Sequence, residues 1–285
     1  MLANGFHYKL YQGIMQGDIE MPHLPDVAVR ISEAVQNPIY GADTIVKILQ
    51  SDPPLVAHIM KVSESSMYRA SRGAQNLQSA VNQMGLEAIR NITLSFCLKN
   101  LFTPKNHWLK RLTHLSWRQS IRIGSMSAIF AARSGIAESD RALLAGLLQD
   151  IGYLALLAFL DKFPEQLEDK PRVLELLKEA SIDVGAVLLR SWNMQDSDLL
   201  SVISSREDWL RNDSPTPELA DIVLMARYHA YIGTAAFKDC PRLSEIPAYQ
   251  KLQNLSLSPH MSKSLIEDSD EEIKNISGIL QATMS

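Results

Sequence analysis

Apolar residues recur at helical spacing along most of the chain, and no succession of alternating strand-length segments competes with them. Asp43 is placed to cap a helix whose inner face is Ile45, Ile48 and Leu49. Asp52 caps the next, with Pro53 at the first helical position, where a missing N–H costs nothing, and an apolar stripe of Leu55, Val56, Ile59 and Met60. A further unit runs from Leu77 through Ala80, Val81 and Met84 to Gly85, a C-cap or tight corner, and resumes with Ile89, Ile92, Thr93 and Phe96.

At Thr103-Pro104-Lys105-Asn106 the proline ends the preceding helix, and we place a domain boundary there. Beyond it the pattern predicts helices over Trp108–Arg133, Ser139–Gln149, Tyr153–Leu160, Pro171–Ala180, Val184–Trp192 and Ser197–Trp209. Pro215 and Pro217 lead into a last one, Glu218–Phe237. The fold class expected is all-α. From Ser256 the chain mixes serines with the acidic residues Glu267, Asp268, Asp270, Glu271 and Glu272. This reads as a solvated tail or an acidic docking peptide, in which Ile266, Ile273, Ile276 and Leu280 give one amphipathic helix.

Composition narrows the class. Hydrophobic residues at 46% and charged residues at 21% suit a folded globular chain and exclude global disorder. A net charge of -4 supplies no general field for phosphates, so no nucleic-acid partner is expected. Cys97 and Cys240 alone make neither a disulfide framework nor a thiolate cluster, which fits a reducing cytoplasm. The opening MLANGFHYKLYQGIM lacks the charged and apolar regions of a secretory signal. Leu143–Leu160 approaches the length of a membrane span but contains Gln149, Asp150 and two glycines; a buried helix pair is expected instead, and no membrane association.

The segment richest in chemistry is Leu144–Leu156, LAGLLQDIGYLAL, in which an amide, Gln149, precedes a carboxylate, Asp150. No Gly-rich phosphate loop, nucleophile elbow or Cys-His pattern accompanies it. His107 and His114, seven apart, can share a helix face and approach Asp150 only through folding. Trp108, Trp117, Trp192 and Trp209 read as packing residues. Arg69 and Arg72 flank a basic corner, either a solvated turn or a site for an anion or a partner carboxylate.

These residues together resemble the HDOD family, the HD-related output domains of bacterial signalling proteins. The likeness is carried by HLPDVAVRISEAVQNP, ILQSDPPLVAHIMKVSESSMY and LQSAVNQMGLEAIRNITLSFCLKNLF, then by GLLQDIGYLAL (Gly146–Leu156) and VGAVLLRSWNM (Val184–Met194). Glu64-Ser65 departs from the usual Asn-Ser corner, and Met84 replaces leucine before Gly85. The resemblance implies a two-lobed helical HDOD/HD-like fold: an N-terminal lobe over 20–103 and a degenerate HD-like lobe over 104–237. It leaves an N-terminal helical extension, 1–19, and a C-terminal extension, 238–285, partly helical or solvated.

In HD phosphohydrolases, as the resemblance implies, an early His, a His-Asp doublet and a late Asp hold an ion that polarises a phosphoryl oxygen and activates water. The early His falls here at Gln119, the doublet at Gln149-Asp150, a further His at Ser181, a His-His pair at Ser204-Ser205, and the late Asp at Arg227. Only Asp150 is a competent ligand; Arg227 would put a fixed positive charge where an ion should sit, and would pair with Asp150 if the two lie within about 4 Å. The expectation is therefore no catalytic residue, no metal and no cofactor. What is expected is a non-catalytic bacterial signalling module that binds another protein. The alternative is a sensor holding a nucleotide or other anionic small molecule in the degenerate cavity of Gln119, Gln149, Asp150, Ser181, Ser205 and Arg227. A residual metal-dependent phosphohydrolase comes third.

Overall fold

Helices form where caps and apolar faces coincide. The computed structural model describes residues 22–253, apart from Ser66, 69–72, Lys99 and Gln195, together with Gly13, Lys274 and 276–278. The Arg69 and Arg72 corner, the acidic run Glu267–Glu272 and, Gly13 aside, the extension 1–19 lie outside the described residues.

The first helix, α1, spans Asp26–Gln36. Next, α2 spans Ala42–Leu49 and buries Ile45, Ile48 and Leu49 as expected, but its N-cap is Gly41; Asp43 sits two residues past the cap and instead places a negative charge in the first turn. In α3, Pro53–Ser63, the Asp52 carboxylate accepts the Leu55 N–H at 3.0 Å and Pro53 opens the helix. Its buried face is Leu55, His58, Ile59 and Val62, rotated from the expected stripe so that Val56 and Met60 are only half-buried. Helix α4, Leu77–Met84, ends on Gly85, whose φ of 85° is a conformation that disfavours a side chain, and α5, Leu86–Leu98, follows at once.

Asn106 caps the long α6, His107–Ser134, by accepting from the N–H groups of Trp108 and Leu109. Then come α7, Ser139–Leu148, and α8, Ile151–Leu160, the apolar pair: its most apolar window has a mean hydropathy of 1.9, and 83% of that window is buried within protein. The two segments expected at Pro171–Ala180 and Val184–Trp192 are one helix, α9, Lys170–Ser191. The polar residues between them do not break it, because Ser181 is buried and partnered while Asp183 faces solvent. Helix α10 stops at Ser204 rather than Trp209 (Ser197–Ser204), and α11 covers Leu219–Tyr231. It does not reach Phe237, because Ile232 turns extended and Gly233 takes a φ of 81°; a 3-10 turn, Ala235–Asp239, follows. Last is α12, Pro247–Gln253. No strand occurs among the described residues, and the fold is all-α.

Helix α7 is the hub: it packs on α6, α5, α10 and α11, while α5 also holds α1 and α3. The core cluster is consequently continuous from Val27 to Leu252. Two glycine pairs set the spacing. A Cβ on Gly146 would lie 2.6 Å from the Gly124 Cα, and one on Gly152 would lie 1.9 Å from the Ser181 carbonyl and 2.4 Å from the Gly185 nitrogen. The glycines of GLLQDIG and VGAVLL thus let α7 meet α6, and α8 meet α9, backbone to backbone. Of the C-terminal amphipathic segment, Lys274 and 276–278 are described; they are helical, and Ile276 is buried.

Candidate functional site

Gln149 and Asp150 occupy the corner between α7 and α8. The close approach at Gly152 and Gly185 brings Ser181 of α9 to this corner, and α11 supplies Arg227. A residue outside the expected set completes it: Arg206, just past the end of α10. Both arginine side chains are at most 5% exposed.

The two guanidinium groups share one carboxylate. Arg227 Nη1 donates to Asp150 Oδ2 at 2.9 Å and to Gln149 Oε1 at 3.0 Å. Arg206 Nη1 donates to Asp150 Oδ1, and its Nη2 donates to Ser181 Oγ at 2.6 Å. Glu207, half-exposed at the rim, stands 3.5 Å from Arg227 Nη2 and 4.0 Å from Arg206 Nη2. Tyr231 lies under the Arg227 guanidinium, 5.0 Å from Cζ to ring centroid. Formal charge balances only when Glu207 is included with Asp150.

Burial alone would push the Asp150 carboxyl upward, but Arg227 and then Arg206 hold it below the usual carboxylate range. Burial works against the charge of Arg227 as well, but Asp150 beside it outweighs that and holds the guanidinium above its ordinary value. The site is a charged, hydrogen-bonded knot.

This donor set does not fit a divalent ion. Both Asp150 oxygens already accept from guanidinium groups, the Gln149 oxygen accepts from Arg227, and two fixed positive charges face the position an ion would take. The arrangement holds α7, α8, α9, α11 and the segment after α10 together.

The structure therefore gathers Gln149, Asp150, Ser181 and Arg227, as the sequence suggested, and does not gather the other two. Gln119 is half-buried on α6 and makes no hydrogen bond to the group. Ser205 closes α10 by bonding the Ser201 carbonyl. His107 and His114 are exposed on α6 and hydrogen-bond none of these residues. Among the tryptophans, Trp117 and Trp192 are buried, Trp192 donating to the Pro22 carbonyl at 2.8 Å, and Trp209 packs edge-on against Tyr228 and Tyr231.

A sequence model of the HDOD domain matches residues 21–208. An uncharacterized protein of Treponema pallidum (strain Nichols) is 25% identical over 205 residues, which are 66% of this chain. The chain spans 38% of the length of that curated relative. Among solved structures, a Shewanella amazonensis SB2B protein provisionally named a metal-dependent phosphohydrolase superposes with a TM-score of 0.78 at 23% identity, covering 98% of this chain and 99% of its own. An HDOD domain protein with unknown function from Geobacter sulfurreducens gives 0.65 at 17% identity, with 97% and 98% covered. A Marinobacter aquaeolei VT8 protein provisionally named a signal transduction protein gives 0.62 at 21% identity, with 92% and 60% covered. At such identities these likenesses establish the fold alone.

Proposed function

The chain belongs to the HDOD family, and from that premise we propose that it is a non-catalytic bacterial signalling module that acts by binding another protein. The observation that carries the reading is the double guanidinium clamp on Asp150. At the corner where a hydrolase would gather an ion, this chain supplies its own cations and retains the helices. Buried charges that satisfy one another fix a single arrangement of α7, α8, α9 and α11, as a rigid recognition scaffold requires. Cys97 is buried, its thiol pushed up to about 12 by burial and by Asp52, and neither it nor Cys240 is in a disulfide. An inert thiol of this kind suits a reducing cytoplasm.

The test has two arms on the full chain. Assays on phosphomonoesters and cyclic dinucleotides with added divalent metal should show no chelator-sensitive turnover. Capture from native cell extract should retain a protein partner at fixed stoichiometry. Chelator-sensitive hydrolysis would overturn the proposal.

One observation favours a second reading, a sensor for an anionic small molecule. The Arg206 Nε, Arg227 Nε and Gln149 Nε2 groups are buried without a protein acceptor. A thermal-shift screen with nucleotides separates the two, since a ligand at 100 times its dissociation constant stabilises by about 2.7 kcal/mol.

A further inference from the structure

Away from the Asp150 knot, a groove of about 700 Å³ runs between α1 and the turn that joins α9 to α10. That is the size of a small-molecule pocket. Val29, Ser32, Glu33 and Gln36, which recur at helical spacing on α1, form one wall; Trp192, Asn193 and Met194 form the other. Arg90 and Leu94, one turn apart on α5, and Arg141 in the first turn of α7 complete the lining. The neighbours of the two arginines are bonded to each other, Asn91 Nδ2 donating to Asp140 Oδ2 at 2.6 Å, so α5 and α7 meet at this level.

The walls are fixed without a ligand. Helix α9 closes with Asn193 at a φ of 55°, and the Met194 N–H returns to the Leu189 carbonyl at 2.9 Å, so a helix cap shapes the turn. The Trp192 indole ties that turn to the Pro22 carbonyl ahead of α1, and Arg141 bonds Asp196, the cap residue of α10. Charge is layered across the groove. Arg90 Nη2 pairs with Glu87 Oε2 at 2.9 Å and Arg141 Nη2 with Asp196 Oδ1; each arginine side chain is 20% exposed, whereas Glu87 is 65% and Asp196 44% exposed. The guanidinium groups therefore lie deeper than the carboxylates that pair with them. Pairs with so exposed a partner contribute at most about 1 kcal/mol, so an oxyanion entering the groove can share these donors at little cost. Arg90 Nε is also buried without an acceptor among the described residues.

We propose that this groove binds a small organic acid, its oxyanion head on Arg90 and Arg141 and its apolar body along Leu24, Val29, Leu94 and Trp192. Acids at the rim, Glu33 and Asp196, oppose a second negative group, so the fitting ligand carries one anionic head. Helices α1 and α5 precede Pro104, and α7 and α9 follow it, so such a ligand bridges the two parts of the chain. The site is separate from the Asp150 corner, and the proposal goes beyond the reading of the chain as an interaction module without depending on hydrolysis or on capture of a protein.

The probe is anilinonaphthalenesulfonate, which joins one sulfonate to an apolar aromatic body, titrated into the full chain by fluorescence. One saturable site is expected. Uncharged phenylnaphthylamine, the same body without the head, should bind at least about tenfold more weakly, a comparison made on wild type alone. Val29→Glu changes an exposed position and puts a carboxylate into the groove, and it should weaken the sulfonate dye at least about tenfold. Loss of packing in the variant would raise dye binding instead, so a weakening reports on the groove. Phenylacetate or phenyl phosphate should displace the dye, and the one that does so identifies the head group. No saturable site, equal affinity for the uncharged probe, undiminished binding in Val29→Glu, or displacement by neither acid overturns the proposal.

Discussion

Arg227 and Asp150 form a buried ion pair, with Nη1 and Oδ2 2.9 Å apart and both side chains nearly excluded from solvent. The resemblance to HD phosphohydrolases implies metal ligands at these two positions; here the arginine at one neutralises the carboxylate at the other. Arg206 closes on the remaining carboxylate oxygen. Removing Asp150 would leave both buried guanidinium groups without the carboxylate they share.

Asp150→Asn is therefore expected to destabilise the chain by about 3–5 kcal/mol, measured by urea denaturation, because it strands two buried arginines. The combined replacement Asp150→Leu, Arg206→Met and Arg227→Met should recover most of that loss, since burying a charge pair is costly even when it is satisfied. A loss below about 1 kcal/mol for the single change would mean that the knot is solvated.

Two groups predict a stability that falls with acid in two stages. His229 is buried, and burial lowers its affinity for a proton despite its bond to the Met225 carbonyl. The unfolded chain then takes that proton first, so this stability is complete above about pH 6.5 and is lost as pH falls through the lower folded value. Asp150, held low by Arg227 and Arg206 against its burial, contributes stability that is complete above about pH 4 and lost as pH falls through its folded value. His229→Phe should flatten the upper stage in urea midpoints taken across pH, and Asp150→Asn the lower.

The glycine contacts predict a contrast between three alanine substitutions. At Gly152 the new Cβ meets backbone at 1.9 and 2.4 Å, and helices cannot part there without moving Asp150; the expected cost is about 3 kcal/mol or more. At Gly185 the nearest atom is a side-chain methyl of Ile203 at 3.2 Å, and the cost should be smaller. Gly41→Ala, with nothing within 4 Å, should cost least. Melting temperatures of the three rank the effects.

A second buried network makes an independent case. Arg211 bonds Asp221 at 3.0 Å and Glu218 at 2.9 Å, and Lys251 reaches Asp221 at 3.2 Å. Arg211→Met should cost about 3–5 kcal/mol by urea denaturation, because the Asp221 carboxylate is fully buried. Asp213→Asn touches the same arginine at a side chain 78% exposed, and should change stability by less than about 1 kcal/mol.

Local signals carried most of the helices. Asp52-Pro53 and Gly85 act where the sequence places them, since caps and positive-φ glycines are decided by neighbours in the chain. Ser181 gives no such local signal: a polar residue at the predicted break is bonded by Arg206, 25 residues away, and the helix runs through it. Arg206 is not legible from motif alignment for a related reason: the motif places histidines at Ser204 and Ser205, and the next residue carries the charge. The signal available was an arginine closing the apolar turn that holds Val202 and Ile203. Gln119 belongs to the expected set by motif alignment alone, and on α6 it stays outside the hydrogen-bonded group.

Metal content tests the central claim, that Asp150 serves as a structural counter-charge. The full chain, purified in the presence of manganese and desalted, is analysed by elemental mass spectrometry. The account predicts far less than one ion per chain, unchanged in Asp150→Asn. One ion per chain in wild type, lost in Asp150→Asn, would contradict it.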